Sequence, residues 1–263
     1  MEILQSKEQR EYWGIRNVEI MSTKGRTIMI YGMAGRGKTT LINTLKGNVL
    51  VINSDCGEQV LDGKNPDNSI DVFDLVTKEK NNCTKSIAKL EAFIKYLTDL
   101  KEMPWNYVIL DNISELENLK LRSLVETREK RNIDAPDQLA YGVEGFWILN
   151  ILKDLRNLTY KGCHVIYICW EKTEKISDFG GEVHSEKGPM LTGQSQLKIN
   201  GLVDFVMAMR VDKEGNRFLQ LDADHKYACK KRTEPGREYP SIIHCPLKEA
   251  DTLQKFFDLL EGK

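Results

Sequence analysis

Gly32, Met33, Ala34, Gly35, Arg36, Gly37, Lys38, Thr39 and Thr40 follow one another in a stretch that sets three glycines beside two cations and two hydroxyls. The spacing Gly32-x-x-x-x-Gly37-Lys38-Thr39 is that of a loop that cradles phosphates. In such a loop backbone N–H groups face the anion, the lysine reaches it, and the threonine hydroxyl binds Mg²⁺. A second ligand to that ion must be acidic, and Asp111 stands where the apolar run Tyr107-Val108-Ile109-Leu110 ends. A helix-capping role is the alternative for an aspartate at a strand end. Turnover would also need a group that orients water, and Asp55, Glu58 and Glu115 are the candidates.

These residues work only if the right elements hold them. Residues 26–31 form a short β-branched run before the loop, and Leu41, Ile42 and Leu45 give a helical apolar face after it that stops at Gly47. The helix N-terminus is expected to add its partial positive charge to that of Lys38. Strands are expected at 48–53, 71–75, 105–112 and 163–170, then at 204–211 and 217–221 around the turn Lys213-Glu214-Gly215-Asn216. Helices are expected from about Thr84 to Pro104, and from Ser114, where Ser114 and Glu117 have capping-box spacing. Further helices should run through Trp147, Ile151 and Leu155 to Gly162, and over Leu253, Phe256, Phe257 and Leu260. The stretch from Lys172 to Gly193 reads as a polar loop too long for a simple connector. Strands alternating with helices imply an α/β fold with a mostly parallel sheet and the ligand at the strand C-termini.

At 263 residues, with 41% apolar and 29% charged residues and a net charge of −1, the chain has the composition of a globular protein without a global field for nucleic acid. Its apolar runs are shorter than a membrane span and its start is too polar for a signal peptide, so a cytoplasmic location is expected, with no membrane partner. Cys56, Cys83, Cys163, Cys169, Cys229 and Cys245 form no C-x-x-C pair and read as free thiols in a reducing compartment. The strongest local positive charge is the run from Lys226 to Arg232.

The glycine loop, Val49-Leu50-Val51-Ile52-Asn53-Ser54-Asp55, Tyr107 to Asn112, and Val165 to Glu171 with its following long segment come in an order that resembles the three-layer, RecA-like P-loop ATPase core. More closely, they resemble phage nucleotide-binding ATPases of the AAA type, similar to single-strand annealing ATPases. The resemblance covers about residues 24–235 and implies an N-terminal extension at 1–23 and a C-terminal helical tail at 236–263. It implies ATP and Mg²⁺ as ligands, single-stranded DNA as a partner in recombination or annealing, and a homo-oligomeric ring or filament.

By this resemblance the catalytic acid maps onto Asp55, one methylene shorter than the family's glutamate, with Glu58 as the substitute. Glu171 maps onto a polar residue that couples the γ-phosphate to a DNA-contacting loop; a solvated strand-end carboxylate is the other reading. The loop, counted through Lys198, carries four positive and four negative groups, with Phe179 and Gly180-Gly181 suited to stacking on a base. Lys230, Lys231 and Arg232 map onto a cation that reaches a neighbouring subunit's nucleotide, against the alternatives of a solvated edge strand or a nucleic-acid patch. A helicase loader, or a nucleotide-gated module with little hydrolysis, are the competing functions. A small-molecule kinase would carry an arginine-rich lid, and residues 172–193 hold no arginine.

Overall fold

The computed structural model describes residues 25–55, 57–61, 65–75, 82–127, 135–177, 183–193, 195–234, 236–246 and 251–262. The expected N-terminal extension, Cys56 and the stretch from Phe179 to Gly181 lie outside them. In chain order the elements are β1 (Thr27–Gly32), β2 (Gly47–Asn53), β3 (Asn68–Asp74), α1 (Cys83–Asp99), β4 (Tyr107–Asp111), α2 (Ile113–Glu126) and α3 (Gln138–Asn157). They continue as β5 (His164–Ser177), β6 (Val183–Pro189), α4 (Ser195–Leu202), β7 (Phe205–Val211), β8 (Arg217–Gln220), β9 (Lys230–Lys231), β10 (Ile242–His244) and α5 (Thr252–Glu261).

Apolar runs without polar alternation fit a strand covered on both faces. Every residue of β1 and β4 is buried, as are the last five of β2 and the first five of β7. These strands pair in parallel in the order β7-β1-β5-β4-β2-β3, with β8 and β10 added antiparallel beyond β7. Side chains then alternate between two apolar layers. Met29, Tyr31, Leu50, Ile52, Val108, Leu110, Val165 and Tyr167 face α1, α2 and α3. Ile28, Ile30, Val49, Val51, Ile109, Ile166 and Met207 face Leu41 and Ile42 and the α5 residues Leu253, Phe256, Phe257 and Leu260. Each such aliphatic side chain contributes about 1.5–3 kcal/mol by leaving water. The molecule is a three-layer α/β sandwich, and its parallel strands all end at the same edge.

Four local expectations need correction. The segment after the glycine loop is a six-residue 3-10 turn, Thr39–Thr44, not a full helix. Only eight residues separate Lys38 from Gly47, whose φ of 96° sends the chain into β2. The helix dipole expected there is correspondingly short. At the start of α2 the cap is Asn112, whose side chain accepts from the Glu115 N–H at 2.8 Å, while Ser114 and Glu117 are buried and bonded elsewhere. Helix α1 stops at Asp99, five residues before Pro104.

The largest change is in residues 172–193. Among the described residues, 172–177 and 183–189 are strand and not loop: β5 continues past the sheet to Ser177 and pairs with β6, with Glu171 opposite Pro189 and Ser177 opposite Val183. Its two strands form an antiparallel ribbon that projects from the strand-end edge.

Candidate functional site: the glycine loop and its carboxylates

At the end of β1 the backbone of β7 lies so close that a Cβ on Gly32 would stand 2.8 Å from the Met209 carbonyl oxygen. Beyond it Gly35 and Gly37 hold φ of 74° and 94°, a left-handed backbone that glycine alone adopts without strain. Turns of this kind aim successive N–H groups at one point and form an anion nest. Lys38 is 7% exposed and donates to the carbonyls of Gly32 at 2.8 Å and Met33 at 3.0 Å. Two of its three protons are thus used within the loop, leaving one for a ligand. Burial lowers the Lys38 pKa, and the carboxylates of Asp111, Asp55 and Glu171 act against that. Met33, Ala34 and Gly35 form the exposed rim, with Arg36 and Thr40 half-buried.

The parallel register fixes which carboxylates meet this loop. Asn53 stands opposite Asp111, Asp111 opposite Ile168, and Gly32 opposite Trp170, so β1, β2 and β4 end together beside Ile168 to Trp170 of β5. Thr39 Oγ1 donates to Asp111 Oδ2 at 2.6 Å. Burial pushes the Asp111 carboxyl up to about 6; the Thr39 bond and Lys38 pull it down, and Asp55 adds to the rise. Two oxygens in adjacent positions around Mg²⁺ lie about 3 Å apart, given metal–oxygen distances of about 2.0–2.1 Å. The pair therefore fits that ion once the oxygens part by a few tenths of an ångström.

Asp55 sits beside the same threonine. Its carboxylate accepts from the Gly57 N–H at 3.1 Å and from the Asn112 amide. The spot where a Cβ of Gly57 would stand lies 2.8 Å from Asp55 Oδ1 and 3.9 Å from Thr39 Oγ1. Glu58 is turned to Asn53, whose Nδ2 donates to it at 2.6 Å. Glu115 stays on its own helix, where it accepts from Asn118 at 3.0 Å and faces Arg122. Lys38, Thr39, Asp55, Asp111 and Glu171 therefore act on one another as a cluster, while Glu58 is engaged by Asn53 and Glu115 by its own helix.

A family model described as an AAA domain matches residues 24–233. The chain belongs to that AAA domain family. No curated protein matches it. Membership makes the domain a nucleotide-binding P-loop ATPase of AAA type. Among the described residues, no helix is long and apolar enough to cross a membrane.

In this AAA domain the ribbon is rooted in the site. Glu171, the residue after Gly32's partner Trp170, accepts from Lys187 Nζ on β6 at 2.8 Å, and that bond raises the Lys187 pKa. Ser114 Oγ accepts from the Trp170 N–H and donates to the Met190 carbonyl at 2.8 Å. Just after the ribbon, Thr192 donates its N–H to both oxygens of Glu117 and its hydroxyl to Glu144 at 2.6 Å. Both glutamates are buried, at 3% and 0% exposure, and burial pushes both carboxyls up.

The expected cations Lys230, Lys231 and Arg232 lie elsewhere. Strand β9 pairs with Phe205 and Val206, at the start of β7, so the three stand at the sheet edge opposite the glycine loop. Lys230 donates to the Val203 carbonyl at 2.9 Å, Lys231 pairs with Asp222, and Arg232 with Asp204 at 2.7 Å. Asn112, Lys187, the Glu117–Glu144 pair and Arg217 were missed by sequence reasoning. Only Asn112 carried a signal, as an Asn directly before a helix.

Proposed function

We propose that this domain hydrolyses Mg-ATP at the glycine loop and couples that turnover to single-stranded DNA within a homo-oligomer. The observation that carries the ATPase half is the contact between Thr39 and Asp111 beside Lys38, the hydroxyl, carboxylate and ammonium that a magnesium nucleotide requires. Mg²⁺ would neutralise charge developing on the phosphates. Lys38 and the loop N–H groups hold the phosphates, and Thr39 and Asp111 hold the ion. Asp55, fixed by Asn112 and Gly57 next to Thr39, orients the attacking water; Glu58, engaged by Asn53, is the weaker choice.

The DNA half rests on the resemblance to annealing ATPases and on the Glu171–Lys187 pair, which ties the site to a projecting ribbon. A phage setting for recombination rests on the same resemblance. The oligomer half rests on the opposite placement of the glycine loop and the Lys230–Arg232 cluster. A head-to-tail contact brings those two edges together, and such contacts close into rings or extend into filaments. Of the three cations, Arg232 has the most exposed side chain, at 46%. ATP turnover measured with and without single-stranded DNA tests the proposal: stimulation by DNA supports coupling, and equal turnover refutes it while leaving the ATPase itself standing.

A further inference from the structure

The carboxylates that act on Lys38, those of Asp111, Asp55 and Glu171, lie on one flank of the glycine loop, toward β5, β4 and β2. On the other flank, toward β7 and β8, stands Arg217. Its guanidinium reaches Gly37 through Nη1: a Cβ added there would be 2.7 Å from Nη1, 3.3 Å from Cζ and 3.7 Å from Nε. Register explains why it arrives there. Arg217 opens β8 opposite Val211, the last residue of β7, and so stands at the same strand-end edge as the loop. Its guanidinium makes no hydrogen bond or ion pair among the described residues, whereas Lys231 and Arg232 are each paired to an aspartate.

Beside Arg217 is a cavity of about 410 Å³, walled by Asp212 and Asn216 of the β7–β8 turn and by His244 and Pro246 after the chain returns through β10. The turn wall is fixed, since Asp212 accepts from the Asn216 N–H at 2.7 Å and from its side-chain amide at 2.9 Å. The far wall is fixed by the Cys245 N–H donating to the Arg217 carbonyl at 2.8 Å. The volume is within the range of about 300–1,000 Å³ common to small-molecule pockets.

We infer that this cavity takes the base and sugar of the nucleotide, with Arg217 as the planar cation that faces the base. The inference rests on the reading of residues 32–40 as a phosphate site. A nucleoside triphosphate whose terminal phosphates turn to Lys38, Thr39 and Asp111 sends its nucleoside to the flank opposite Asp111, Asp55 and Glu171. That flank offers a concave wall and a guanidinium unpaired among the described residues, a group that stacks well on aromatic faces. Arg217 is thus assigned to affinity for the nucleoside and not to the phosphates.

The test is calorimetric titration of the full chain, in Mg²⁺, with ATP and with inorganic tripolyphosphate, which has the phosphates and no nucleoside. The unchanged protein should bind ATP at least about tenfold more tightly than tripolyphosphate. Arg217→Ala should weaken ATP by about ten- to a hundredfold and tripolyphosphate by less than about threefold. His244→Trp, on an exposed edge strand, fills the cavity without removing the guanidinium and should act in the same direction. Equal losses for both ligands in Arg217→Ala would make Arg217 a phosphate contact and overturn the inference. So would unchanged ATP binding in both variants. Lys38→Ala should weaken both ligands alike; if it weakens neither, the phosphate-loop reading itself fails, an outcome distinct from failure of the cavity.

Discussion

Asp111 and Lys38 are both charged groups held out of water, and their chemistry follows from that. Burial holds the Asp111 carboxyl near 6, well above the ordinary aspartate value, so it takes up a proton where an exposed aspartate stays ionised. In the proposed site only the ionised form would bind Mg²⁺. The magnesium concentration for half-maximal ATP turnover should therefore rise as pH falls below about 6, by up to tenfold per unit, and Asp111→Asn should raise it at every pH and abolish that slope. The same shift affects stability. Between pH about 4 and 6 the folded chain keeps a proton on Asp111 that the unfolded chain releases, so this stabilising contribution is full below about 4 and lost as pH rises through 6. At pH 7.5, then, Asp111→Asn should unfold at higher urea, by about 1–3 kcal/mol, while binding Mg²⁺ worse. A lower urea midpoint would show that Asp111 is not the strained carboxyl described. Lys38 is no surface lysine, since its stem and two of its bonds are buried in the loop. The glycine loop and Asp111 were readable because their chemistry is local in sequence. Asn112 holding Asp55, and Arg217 lying on Gly37, were not, because residues 57 and 180 positions apart meet only through strand register.

The buried strands were legible as unbroken apolar runs, and their observed ends differ from the expected ones by a residue or two for β2, β4 and β7. The ribbon of β5 and β6 was not legible, for a physical reason. Beyond Lys172 the β5 arm of the ribbon is exposed from Thr173 to Lys175, so Glu171-Lys172-Thr173-Glu174-Lys175 needs no apolar alternation and reads as loop. Its root is anchored by Thr192 on the Glu117–Glu144 pair, whose members come from α2 and α3 and shared no recognisable pattern. Burial, then the neighbouring Glu144, pushes Glu117 up to about 8. The folded chain thus carries a proton that the unfolded chain would lose above about pH 4.5, and the associated stability fades as pH climbs toward 8. Glu144→Gln keeps an acceptor for the Thr192 hydroxyl and removes the second charge. In that variant the fall in urea midpoint between pH 6 and pH 9 should shrink by at least half. An unchanged fall would mean that the pair does not hold a proton.

Across the whole molecule the parallel strands carry the glycine loop at one edge and Lys230, Lys231 and Arg232 at the other, an arrangement suited to head-to-tail assembly. In that case ATPase activity per chain should rise with protein concentration. A mixture of Lys38→Ala and Arg232→Ala chains should recover activity that neither has alone, because one brings an intact loop and the other an intact cation. Concentration-independent turnover with no recovery would mean a self-contained site. The sheet order could be anticipated only as far as "mostly parallel" with a hairpin around the turn Lys213-Glu214-Gly215-Asn216, which is found as β7 and β8, because β9 and β10 return to the sheet by segments that no local pattern announces. Beneath these questions lies the claim that this edge of the sheet cleaves a nucleotide. The direct measurement is phosphate release from ATP by the purified chain, with Mg²⁺ and with the metal chelated, beside Lys38→Ala and Asp55→Asn. The expected result is Mg²⁺-dependent release that falls at least about a hundredfold in both variants, with ATP binding lost in Lys38→Ala and kept in Asp55→Asn. Release that persists in Lys38→Ala, or none from the unaltered chain under any condition, would contradict it.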